Sequence, residues 1–127
     1  MKLLLRRDQR TAGMLGDKIV FSLEVRADLT SEERANVDKY RLAETCLYAK
    51  NEVPYTGPGL ANVGRQLVQH ATNVRVSVRD LTVGKKIECK DIMEMLAVEE
   101  DIKESARVFI EVLRAASHFG GEEVVEL

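Results

Sequence analysis

The chain has little of what would announce a function. It has no excess of basic charge: 19 lysines and arginines stand against 21 acidic residues, for a net charge of −2. That excludes a nucleic-acid binder that works through an overall positive surface, and leaves only charge segregated between faces. Cysteine is scarce. Cys46 and Cys89 lie far apart and form no C-x-x-C pair, so neither a disulfide framework nor a redox motif is expected. Both read as reduced, mostly buried small hydrophobes of a cytoplasmic protein.

Long apolar runs are missing too. Leu3-Leu4-Leu5 gives way at once to Arg6-Arg7-Asp8, short of the roughly 7–15 apolar residues of a signal sequence. No run approaches the roughly 18 apolar residues of a membrane helix, so no membrane partner is expected. The chain also lacks a G-x-S-x-G elbow, a dinucleotide or Walker fingerprint, and any metal-ligand spacing of His, Cys and carboxylates. His70 and His118 each fall near the end of a predicted helix, where a cation complements the helix dipole. Asp80 and Tyr55 fall in predicted loops without a catalytic constellation around them. No cofactor, metal or catalytic residue is assigned, and an enzyme is the less favoured reading.

What is present is patterning. The 127 residues, 45% of them hydrophobic, suit a single domain spanning 1–127. Met1 to Arg7 reads as a short strand ended by the polar stretch Asp8 to Thr11, and Gly13 and Gly16 bracket a turn. From Asp17 to Leu29, Ile19, Phe21, Leu23, Val25 and Ala27 alternate with Ser22, Glu24, Arg26 and Asp28, a half-buried strand that pairs with the first. Thr30 with Glu33 three residues on is a capping box, and opens a short helix carrying Val37, Tyr40 and Leu42. Cys46 to Ala49 is a short strand. Asn51 to Gly59 is a loop, and Leu60 to Ala71 has helical spacing.

A second hairpin is expected from the alternation of Val74, Val76 and Val78 and then of Ile87 and Cys89. Asp91 caps the last element, with Glu94 three residues later. Ile92, Met95, Leu96, Ile102, Ala106, Phe109, Ile110, Leu113 and Ala116 form a helix stripe ended by Gly120-Gly121. The fold class is α+β: an antiparallel or mixed sheet built from two hairpins, helices packed on one face, and a long C-terminal helix. Val124-Val125 forms a last strand or frays.

Four features bear on function. If the alternating apolar residues face the helices, Arg26, Arg75, Arg79, Lys86 and Lys90 gather on the opposite sheet face, with Lys2 or Arg6 beside them. Such a face suits phosphates, making nucleic acid the second choice of partner, although it has no aromatic platforms for stacking bases. The loop from Pro54 to Gly59 precedes a helix but has no P-loop lysine, so a ligand site there is the third choice. Glu99 falls inside the apolar stripe. Either it is buried against a cation such as an arginine, or a break near Ala97 to Asp101 turns it outward, and the break is preferred. Finally, the last helix exceeds the width of a domain this size, and Met93, Val98, Val108 and Val112 widen its apolar surface. The first choice is therefore a non-catalytic interaction or assembly module that associates with itself, as a homodimer, or with another protein. Val108 and Val112 are the expected contacts.

Overall fold

The computed structural model describes residues 1–16, 18–50, 74–122 and 124–127. Its elements run β1 (Lys2–Ala12), β2 (Lys18–Asp28), α1 (Ser31–Lys39), β3 (Cys46–Lys50), β4 (Val74–Ser77), α2 (Val78–Val83), β5 (Lys85–Cys89) and α3 (Ile92–Ser117). The strands form two antiparallel sheets, one in the order β1-β2-β5 and one pairing β3 with β4. The class is α+β with a long C-terminal helix, as the patterning predicts. No described helix is long and apolar enough to cross a membrane.

The expected strand pairing of the second half is different. β4 does not turn back onto β5, because Val78–Val83 is helix rather than strand. The cause is local. Ser77 Oγ accepts from the Asp80 amide (3.2 Å), and the Asp80 carboxylate accepts from the Ser77 amide (2.9 Å), a reciprocal capping box. The helix ends at Gly84, whose φ of 110° only glycine adopts without strain. With that turn of helix inserted, β4 pairs with β3 and β5 pairs with β2. Val78 and Leu81 become core residues of α2.

The caps expected elsewhere are present. Thr30 and Glu33 form the same reciprocal box at α1, and Asp91 accepts from the Glu94 amide at 2.7 Å. From Asp91, α3 runs unbroken for 26 residues, about 39 Å at 1.5 Å per residue. Its core stripe is Met95, Val98, Glu99, Ile102, Ala106, Phe109, Leu113 and Ala116, packed on Leu23, Val25, Leu47, Val76 and Ile87. Ile92 and Leu96, expected in that stripe, lie on its flank instead and are exposed, whereas Val98 belongs to the core. The C-terminal residues Val124 and Val125 are exposed and form no strand.

Candidate interaction surface

The first strand is longer than its apolar residues suggest. β1 passes through the polar stretch to Ala12, matched residue for residue with β2 from Lys2↔Asp28 to Ala12↔Lys18. β5, by contrast, pairs with β2 only from Phe21 to Val25. The hairpin therefore has a base, paired on the far side of β2, and an outer arm that no described strand continues. Its loop closes between Gly13 and Gly16, with the Gly16 amide donating to the Gly13 carbonyl at 3.3 Å.

Helix α3 runs opposite to β1 beneath the base. Met1 shares a groove with Ile110 and Leu113, Arg7 meets Glu99, and Gln9 lies beside Ile92 and Leu96 in the first turns. The arm beyond Gln9 thus passes the start of the helix. Ile19 is on the same strand face as Leu23, which is fully buried, yet it is 54% exposed. At the tip, Met14 and Leu15 are wholly in solvent. Between arm and helix lies an open recess of about 380 Å³, with Phe21, Ile92, Met95 and Leu96 in its walls beside the polar Arg7, Asp8 and Gln9. Met93, on the outer side of the same helical turn, is exposed as well. Among the described residues, the hairpin arm, its tip and the first turns of α3 therefore carry several uncovered large apolar side chains.

Glu99 belongs to the covered stripe of α3 and meets the hairpin through Arg7. It is buried, and its carboxylate takes a two-pronged ion pair from Arg7, with Nη2 at 2.8 Å and Nε bonded to the other oxygen. The helix does not break to turn it outward. The Arg7 hydrogen bonds outweigh burial and hold the carboxyl below its ordinary range. Arg7 is itself half exposed, so the pair reaches water on one side. Asp80 is likewise held low, chiefly by the Ser77 amide. That assigns the residue a structural partner within its own cap.

The basic residues are not collected on one face. Arg26 and Lys86 lie on the outer face of the three-stranded sheet, where Glu24 stands opposite Lys86 and Arg26 pairs with Asp28 at 3.7 Å. Arg6 pairs there with Asp8 (3.2 Å) and Arg10 with Glu88 (3.3 Å), so acid and base are interspersed. Arg75 is on β4, in the other sheet. Arg79 is on α2, paired with Glu44 at 2.7 Å, and Lys90 is in the turn before α3. The face expected from alternation required Arg75 and Arg79 to continue the strands of Arg26 and Lys86. The α2 turn separates them.

Val108 and Val112 are 58% and 45% exposed, on the flank of α3 away from its core stripe. They stand one turn apart among Glu104, Arg107, Glu111 and Arg114, the last two paired at 2.7 Å. Their uncovered area is smaller than that of the arm and recess, which the sequence reading did not single out. Cys89 is buried, but Cys46, expected to be buried, is exposed. Both are free thiols. The alternation of β3 is shifted by an irregularity between Cys46 and Tyr48, and this turns Leu47 inward instead. His118 is the exposed C-cap of α3. Tyr55, His70 and the Pro54 to Gly59 loop lie outside the described residues. Among the described residues, no group of His, Cys and carboxylates could hold a metal ion.

No family model, curated protein or solved structure matches the chain.

Proposed function

We propose that this chain is an interaction or assembly module that associates with itself, rather than an enzyme. The observation that carries the reading is the uncovered apolar surface where the hairpin arm meets the start of α3. Soluble monomers rarely leave contiguous large apolar side chains from two elements in water, and such patches mark association sites. Among the described residues, no layer covers the strand arm and the helix end as one does elsewhere in this fold, and an uncovered strand edge is a template for association. Two free cysteines are in keeping with a reducing, cytoplasmic setting.

The test is the mass in solution. Light scattering across roughly 1–100 µM should give a weight-average mass that rises above the 14.3 kDa of one chain and depends on concentration by mass action. A mass fixed at one chain throughout that range would sink the reading.

A further inference from the structure

We draw no further inference here: the strongest candidate, the open recess between the hairpin arm and the first turns of α3, has polar as well as apolar side chains in its walls and carries nothing, because nothing in the structure shows what covers it.

Discussion

The two halves of the β1–β2 hairpin share one ladder and one alternation, yet they live in different surroundings. In the base, the inward residues Leu3, Leu5, Leu23 and Val25 meet α3 and the rest of the core. In the arm, the inward residues Thr11 and Ile19 meet solvent, and the outward face mixes the charged Arg10 and Lys18 with the half-buried Ala12 and Val20. Alternation in a sequence therefore states which face a side chain takes. Whether anything covers that face depends on where a third element happens to end, and here it is the first turn of α3.

The strongest way to break the comparison is to make the same kind of change in both halves. Leu23 is fully buried; Leu23→Ala should cost about 2–5 kcal/mol, from lost burial plus the cavity left behind. Ile19→Ala, on the same strand and face, should change stability by no more than about 0.5 kcal/mol, as surface changes do. Both are measured by urea denaturation at one low protein concentration, so that association enters the two results alike. A cost at Ile19 approaching that at Leu23 would mean that the arm is covered after all.

A subtler effect is expected in the base, where Arg7 and Glu99 meet. The folded state holds the Glu99 carboxyl below its unfolded value. Its contribution to stability is thus present above the unfolded carboxylate range, about pH 4.3, and is lost as pH falls through the folded value. Glu99→Gln should flatten the acid limb of the stability curve. Arg7→Met should do more than flatten it. With Arg7 gone, burial becomes the largest influence on the carboxylate, opposed only by the weaker pull of Lys103, and raises its pKa, so this group's contribution reverses sign and acid relieves part of the damage. Denaturation midpoints between pH 3 and 7, on the order of one measurement per half unit, decide it. Identical acid limbs in all three proteins would show that the pair does not couple to folding.

The hairpin and its neighbours also show how much the sequence could disclose. The hairpin, the caps at Thr30 and Asp91 and the long helix were all legible, because each rests on local periodicity or a local hydrogen bond. The α2 turn was legible in principle: Ser77-Val78-Arg79-Asp80 has the spacing of a capping box just before Leu81, the signal that located α1. The alternation of Val74, Val76 and Val78 masks it, and a basic face read from that alternation spans two sheets. The length of β1 was hidden for a different reason. Asp8 to Thr11 is polar because the arm lies outside the core, and polarity alone does not separate a loop from a strand that no layer covers. The pairing of Glu99 with Arg7 joins residues 92 apart in sequence. The charge in the stripe was visible, but its partner was not.

The smallest effect uses identical side chains in covered and uncovered places. Cys89 is buried on β5 beneath α3, and Cys46 is exposed at the start of β3. Burial pushes the Cys89 thiol up, so little of the reactive thiolate is present near neutral pH and reagent cannot reach it. Cys89→Ala should cost on the order of 1 kcal/mol through lost packing. Cys46→Ala should fall within about 0.5 kcal/mol of the unmodified protein, since the residue is exposed and, among the described residues, its sulfur donates only to the Tyr48 carbonyl. Thiol labelling separates the two without mutation. One thiol should react at once in native buffer, and the second only as denaturant unfolds the chain. Two thiols reacting equally fast without denaturant would mean that the β5 side of the core opens readily. The line between covered and uncovered would then have to be redrawn through the sheet as well as along the hairpin.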